Sequence, residues 1–412
     1  MTSTITVAET AAHPTACPAF PFSRPEGFGP PAENAGLRLN EPISKVKLFD
    51  GTECWIIARH SDVREVLASD KFSADRRTPG FPEIHAGGIK ALKKRPTFVN
   101  MDAPGHRSQR NMFESFFTPE AVEKLRPMMQ KTIETLLGSM VEKGCQEPAD
   151  FIRNFAESIP IQIIYRILGV PEADITSLSH HSEVRMNTSG NAAESSEQSL
   201  AKYMSTLVDK KIEDPGEDLI STLVLDQYKT GNLDKEDFDN LVFLVLVAGN
   251  AAVTNSIAMG VVTLLQHPSQ LEEFKNDPSL AGKVVKECLR YNTASALNSR
   301  RAALEDTVIA GQKIAKGEGV ICLVQSADRD ESFFTKGTEF DIHHDYDSKD
   351  NLGFGYGPHR CIAEHLARAE IEIALTSLFQ RLPDLKLAVP VDQLKFTPPA
   401  QNIGIAEMPV VW

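Results

Sequence analysis

Several features that would give a quick answer are missing from this sequence. Only six cysteines occur, Cys17, Cys54, Cys145, Cys288, Cys322 and Cys361, and no two have CxxC spacing. Neither a zinc site nor a disulfide framework is suggested, and a reducing compartment fits. Long apolar runs are also missing. The most apolar run, Leu241 to Val253, is too short to cross a bilayer and contains Gly249 and Asn250. The N-terminus lacks the basic-then-apolar order of a signal peptide. Residues 2–19 carry Ser, Thr and Ala without Arg or Lys, so a cytoplasmic location is expected, with a mitochondrial one as the alternative. No GxGxxG follows a strand pattern, so a Rossmann cofactor site is not indicated. Positive charge is in deficit, with a net charge of −13. That argues against nucleic acid and against an anionic membrane as partners, and leaves room for a local basic patch facing an anionic cofactor.

What the sequence does contain is organised around Asn351-Leu-Gly-Phe-Gly-Tyr-Gly-Pro-His-Arg-Cys-Ile-Ala-Glu-His-Leu-Ala367. It reads as a glycine-rich loop delivering Cys361 to the start of an apolar helix. A thiolate there gains from the positive helix end and from backbone N–H groups. Gly353, Gly355 and Gly357 are expected to let backbone pass close to something large and flat. Phe354 can cover the sulfur, and His359 and Arg360 flank it. A thiolate held in this way suits the fifth ligand of haem iron. The run Phe354-x-x-Gly357-x-His359-x-Cys361-x-Ala363 resembles the haem-binding signature of the cytochrome P-450 superfamily, with His359 where many members have arginine.

A second stretch is Met101-Asp-Ala-Pro-Gly-His106-Arg-Ser-Gln-Arg110. Asp102 or Pro104 can open a helix, and His106 and Arg110, four apart, share one face of it. Two donors on one face suit a pair of carboxylates. The stretch resembles the superfamily segment whose histidine and arginine hold the haem propionates. Glu287-x-x-Arg290 matches the ExxR pair, and Arg301 matches a third propionate donor. His344 stands where the family has an arginine completing the ExxR network.

The coarse pattern predicts a mainly α chain with small β-sheets (α+β), in the cytochrome P-450 fold, with haem between the long central helix and the cysteine loop. Residues 1–35 read as a tail and irregular lead-in, and residues 36–412 as one catalytic domain. Lys45–Phe49 and Glu53–Ile57 bracket the hairpin turn Asp50-Gly51. Helical spacing covers His60–Ala68, Ala121–Val141, Asn154–Leu168, Leu200–Ile212 and Lys283–Tyr291. Residues 186–196 read as a flexible loop. The longest helix is expected from Lys235 to about Gln266, buried through the core, with Ala248-Gly249 as a flat place for a cofactor face.

A closer resemblance lies in residues 18–33, 46–51, 80–83, 247–251 and 293–297, which look like fungal cytochrome P-450 nitric oxide reductase. That family takes hydride directly from NADH or NADPH, needs no reductase partner, and converts two NO to N2O. The resemblance implies a haem b and a nucleotide above it. Arg76, Arg77, Arg185, Arg300 and Arg301 are candidates for the pyrophosphate, and Ser295 matches the serine that positions a water for proton delivery. In the run Ala248-Gly249-Asn250-Ala251-Ala252, the reductase has threonine where this chain has Ala252. It also has an aspartate where this chain has Asn402. Neither Ala252 nor Asn402 can supply a proton through its side chain, and Thr254 should point off that face. Ordinary oxygen-activating members use an acid–alcohol pair where this chain has Ala251 and Ala252. The alternatives are therefore a monooxygenase, an NO-using biosynthetic enzyme acting on a small organic substrate, or a weakly catalytic NO or haem sensor.

Overall fold

The computed structural model describes residues 17–24, 29–92, 95–187, 190–295, 297, 299–397 and 403–412. Helices dominate, because apolar positions recur at helical spacing over most of the chain. The first is Glu33–Asn40, which begins within the segment expected to be irregular. Those used below are α1 (His60–Ala68), α2 (Gly105–Glu114), α3 (Pro119–Lys143), α4 (Ser158–Leu168), α5 (Glu172–Asn187), α6 (Asn191–Glu213), α7 (Lys235–Ala248), α8 (Asn250–Gln266), α9 (Ala281–Asn292) and α10 (Glu364–Arg381).

Small sheets flank the helices. The largest has five strands: β1 (Ile43–Lys47), β2 (Glu53–Ile57), β3 (Phe72–Ser73), β4 (Arg300–Ala303) and β5 (Gly319–Cys322), in the order β1-β2-β5-β4-β3. β1 and β2 form the expected hairpin with Val46 opposite Cys54, and Gly51 takes the positive φ of 88° that its turn requires. β2 and β5 are parallel, and the other pairs are antiparallel.

Two expectations change. The polar run 186–196 is mostly helix, comprising the end of α5 and the first turns of α6, with residues 188–189 outside the described set. The two helices bury Ile175 and Leu178 together with Leu200 and Met204 in the main core, and such packing overrides the weak helix preference of Ser and Asn. The long central helix is also not continuous. Asp234 caps its start, its carboxylate accepting the Asp237 N–H at 2.8 Å, and the regular pattern breaks at Gly249 between α7 and α8. The combined segment is long and apolar enough to cross a membrane by composition alone, but more than half of its most apolar window is buried inside the protein. Its second half is wrapped on all sides, with Ile257, Ala258, Val261 and Val262 fully buried. Each such side chain contributes roughly 1.5–3 kcal/mol, enough to fix α8 as the axis on which the site is built.

Candidate functional site

A cavity of about 510 Å³ lies between α8 and the loop before α10, within the size range of ligand pockets. Cys361 is exposed within it. The loop that carries Cys361 is pinned at several points. Leu352 N donates to Asp328 Oδ1 at 2.8 Å, Gly353 N to Asn351 Oδ1 at 2.8 Å, and Cys361 N to Phe354 O at 2.8 Å. Asp328 also accepts the Thr293 hydroxyl at 2.9 Å, which ties the loop to the end of α9. Burial pushes the Asp328 carboxyl up to about 7, against these hydrogen bonds and the pull of Arg290.

At two of the loop glycines the protein's own atoms leave no room for a Cβ. At Gly357, with φ of 70°, a Cβ would lie 2.6 Å from the Leu67 carbonyl oxygen at the end of α1. At Gly353 it would lie 2.9 Å from Asn351 Oδ1. The protein's own backbone and cap thus demand Gly357 and Gly353, while Gly353 and Gly355 also line the cavity. The open face is instead at Gly249, where a Cβ would meet nothing within 4 Å, and Ala248 and Gly249 both line the cavity.

Although Cys361 faces the cavity, the protein atoms packed around it push its thiol above the ordinary pKa, while the Ala363 N–H and the charges of Arg110 and Arg360 pull it down. The positive end of α10 therefore does not make a thiolate unaided. A coordinated metal ion would, because it deprotonates a bound thiol outright. Phe354 is partly buried against the main core, with the Arg368 guanidinium 5.0 Å from its ring centre.

Beside the sulfur, His106, Arg110, Arg301 and His359 converge. The His106 and His359 rings lie 4.1 Å apart, and Arg110 Nη1 donates to Arg360 O at 2.8 Å. Among the described residues no carboxylate hydrogen-bonds to His106, Arg301 or His359, and His106 Nε2 is buried with no partner. The electrostatic cost is visible. Burial, then Arg301, His106 and Arg110, push His359 down to about 3. Three basic groups with no carboxylate bonded to them, together with Arg110, whose Nε is held by Glu114 at 2.9 Å, lie next to a cysteine sulfur and fit a flat group with two carboxylates and a metal, as in haem. Pro104 rather than Asp102 sits at the start of α2. Asp102 is used elsewhere, accepting the Ala74 N–H at 2.9 Å.

Glu287 and Arg290 form a two-pronged pair at 2.9 and 2.6 Å. Arg290 also donates to the carbonyls of Asp328, Gly337 and Glu339. His344 Nδ1 lies 2.9 Å from Glu287 Oε1 and so takes its place in the network, while His344 Nε2 is buried and unpartnered. This cluster lies under the cysteine loop and holds it in register.

The candidate nucleotide cations separate into groups. Arg76 and Arg300 line the cavity, but both are engaged by the buried Glu83: Arg76 through two hydrogen bonds of 2.7 Å, and Arg300 through one of 2.9 Å. The two arginines hold Glu83 below the usual carboxylate range although burial opposes this. Arg77 is turned to Asp75 at the surface. Arg185 is absent from the cavity wall; it sits on α5 with Nε buried and unpartnered, near Tyr165 and Glu197. Ser295, Asn250 and Ala252 line the cavity, and Asn250 Nδ2 is buried without a partner. Thr254 points away and donates to Asn250 O at 2.9 Å. Asn402 lies outside the described residues.

Sequence reasoning passed over Ser256 and Glu370, which line the cavity, and the role of Glu83 as the partner of Arg76 and Arg300. Ser256 was accessible from spacing, since it falls four residues after Ala252 on the same helix face. Glu370 was accessible as an acid interrupting the apolar stripe of α10.

The family profile described as Cytochrome P450 matches residues 277–397. Cytochrome P450 55A3 of Fusarium lichenicola is 50% identical over 400 residues, covering 97% of this chain and 98% of the relative. Vitamin D3 dihydroxylase of Streptomyces griseolus is 33% identical over 415 residues, covering all of both chains. Among solved structures, cytochrome P450 MoxA of Nonomuraea recticatena superimposes with a TM-score of 0.89 at 34% identity, over 95% of this chain and 96% of that one.

Proposed function

Because the chain belongs to the cytochrome P450 family, a haem-thiolate oxidoreductase, we propose that it reduces NO to N2O with hydride taken directly from NADH or NADPH. The observation that carries this reading is the placement of charge. In a chain of net charge −13, Arg76, Arg300 and Arg301 all line the cavity, the first two joined through Glu83, and an anionic dinucleotide would need such cations. The resemblance of residues 80–83, 247–251 and 293–297 to fungal cytochrome P-450 nitric oxide reductase points the same way.

Cys361 would hold haem b by its sulfur, and His106, Arg110, Arg301 and His359 would take its propionates. When bound, the haem supplies the redox-active iron. The protein's own parts do the rest. The open backbone at Ala248-Gly249 leaves room for a flat ring against α8. Arg300 on β4 meets the phosphates of the nucleotide, and the Glu83 carboxylate holds Arg76 and Arg300 in place at the cavity wall. Ser295, at the cavity wall, holds a water for proton delivery. In this reading no reductase partner is needed, and the protein works in the cytoplasm.

A second reading is hydroxylation of an apolar organic substrate. It is favoured by the apolar part of the wall, where Phe98, Phe117, Ile164, Leu244 and Val245 face the cavity, and by the likeness to a vitamin D3 dihydroxylase. One experiment separates the two. The haem-loaded protein is mixed with NO and then with NADH or NADPH, without any redox protein, and N2O is measured by gas chromatography. Stoichiometric N2O supports the reductase. No N2O with either nucleotide, together with product formation from a ferredoxin system and oxygen, refutes it in favour of hydroxylation.

A further inference from the structure

A second cavity, of about 30 Å³, shares no wall residue with the first. Phe20, Pro21, Phe22, Leu297, Leu323 and Ile403 give it apolar walls, and the Phe20 and Phe22 rings meet edge to face at 5.3 Å. Its polar end is made by Arg24, Asn34 and Gln325. Two bonds from Arg24 Nη2 fix the guanidinium there, one to Gly29 O at 2.8 Å and one to Gln325 Oε1 at 3.0 Å.

Two polar atoms are left over. Arg24 Nε is buried with no partner, and so is Asn34 Oδ1, on a residue only 4% exposed. A bare donor and a bare acceptor each cost free energy when buried. Charge is also unbalanced. Among the described residues no carboxylate is bonded to Arg24, and the nearby Arg329 spends its own bonds on the Tyr291 carbonyl. Burial and the Arg329 charge lower the Arg24 pKa to about 10, so at neutral pH the guanidinium stays charged and lacks a counter-ion.

Volume limits the guest. A water-sized atom needs roughly 10–15 Å³, so the space takes about two or three non-hydrogen atoms. Sugars, nucleotides and sulfate are too large. An anion here needs donors on both sides. Arg24 Nε supplies one, and the Asn34 amide supplies the other by turning over, which brings its N–H2 group to where Oδ1 stands.

We propose that this cavity binds a small monoanion, best fitted by a planar carboxylate of formate size, with one oxygen on Arg24 Nε and the other on the Asn34 amide. Its position gives the ion a structural consequence. Leu297 belongs to the segment between Ser295 and Ser299, both of which line the main cavity. The bound ion therefore ties residues 20–24 and the helix Glu33–Asn40 to the back of the main cavity wall. This site is separate from the haem and does not depend on which substrate the main cavity takes.

The test uses the haem-loaded protein. It is melted in sodium gluconate, whose anion is too large for the space, and sodium formate is exchanged for gluconate at constant ionic strength. The melting temperature should rise and saturate, by about 3 °C at a hundredfold excess over the dissociation constant, with the Soret band unchanged. Arg24→Gln and Asn34→Leu should each abolish the rise and keep the Soret band. No saturable rise in the unaltered protein would overturn the site, and so would an equal rise in Arg24→Gln. Should the variants fail to fold, crystals of the unaltered protein soaked in sodium bromide read the same place. An anomalous peak beside Arg24 Nε supports the site, and its absence overturns it.

Discussion

Removing Glu287 tests how the cysteine loop is held. Arg290 is fully buried, and burial alone would lower its pKa, yet its bonds to Glu287 raise it. Glu287→Ala leaves that guanidinium with three backbone carbonyls and His344 but no carboxylate bonded to it. Breaking one side of a buried pair costs about 3–5 kcal/mol. At roughly 2.1 cal/mol/K of unfolding entropy per residue, 412 residues give about 0.9 kcal/mol/K, so the melting temperature should fall by about 3–6 °C. Arg290→Ala should cost a similar amount. The double variant should cost less than the sum by about 1–3 kcal/mol, because no lone charge remains. Calorimetry on the haem-loaded protein measures all three. Losses that add within about 0.5 kcal/mol would mean that the two residues act independently, and the view of Glu287 and Arg290 as one unit would fail.

Three further outcomes follow from the geometry. His359 is held neutral in the folded apo-protein, with its pKa near 3, whereas the unfolded chain protonates it below about 6.5. Its contribution should therefore be constant above that value and make apo-stability fall as pH drops from about 6.5 towards 3. Haem carboxylates would raise its pKa, so loading near pH 5 in weak buffer should take up protons, and His359→Ala should take up fewer. Gly357→Ala places a Cβ 2.6 Å from Leu67 O at a positive φ, so it should cost about 1–3 kcal/mol and weaken haem retention, read as loss of the Soret band on dilution. Arg300→Ala should weaken NADH or NADPH binding about 10–100-fold, from the loss of a charge-assisted bond, with the difference shrinking at high salt. An unchanged nucleotide titration would remove Arg300 from that role.

The helices were legible where one face is apolar and a cap is strong. His60–Ala68 matches α1 residue for residue, and Asp234 marks the start of α7 because its side chain satisfies an otherwise unpaired N–H. The run 186–196 was misread because Ser and Asn favour loops locally, while the packing of α5 on α6 is a long-range effect with no local trace. The cysteine loop was legible from spacing, but the reason for its glycines was not, since the Leu67 carbonyl that crowds Gly357 lies far away in sequence. The same holds for Arg76 and Arg300. Each reads as a lone cation, and only the fold shows Glu83 between them.

The charges around the cavity also bear on how the protein holds together. His106 Nε2 lacks a partner, His359 is forced neutral, and burial lowers the pKa of Arg301. All three are costs carried by the apo-protein, and all three are relieved by carboxylates placed among these groups. The Cys361 thiol, raised by burial, is likewise relieved by a metal that takes its proton's place. A ligand that binds only the folded state adds stability in proportion to the logarithm of its concentration over its Kd. These groups therefore favour a ligand that is anionic at two points and metallic at a third. A metal-free porphyrin should capture the first benefit and miss the second. It should raise the melting temperature by less than haem does, and Cys361→Ala should bring the two ligands level. Equal stabilisation by both in the unaltered protein would show that the sulfur contributes nothing to holding the cofactor.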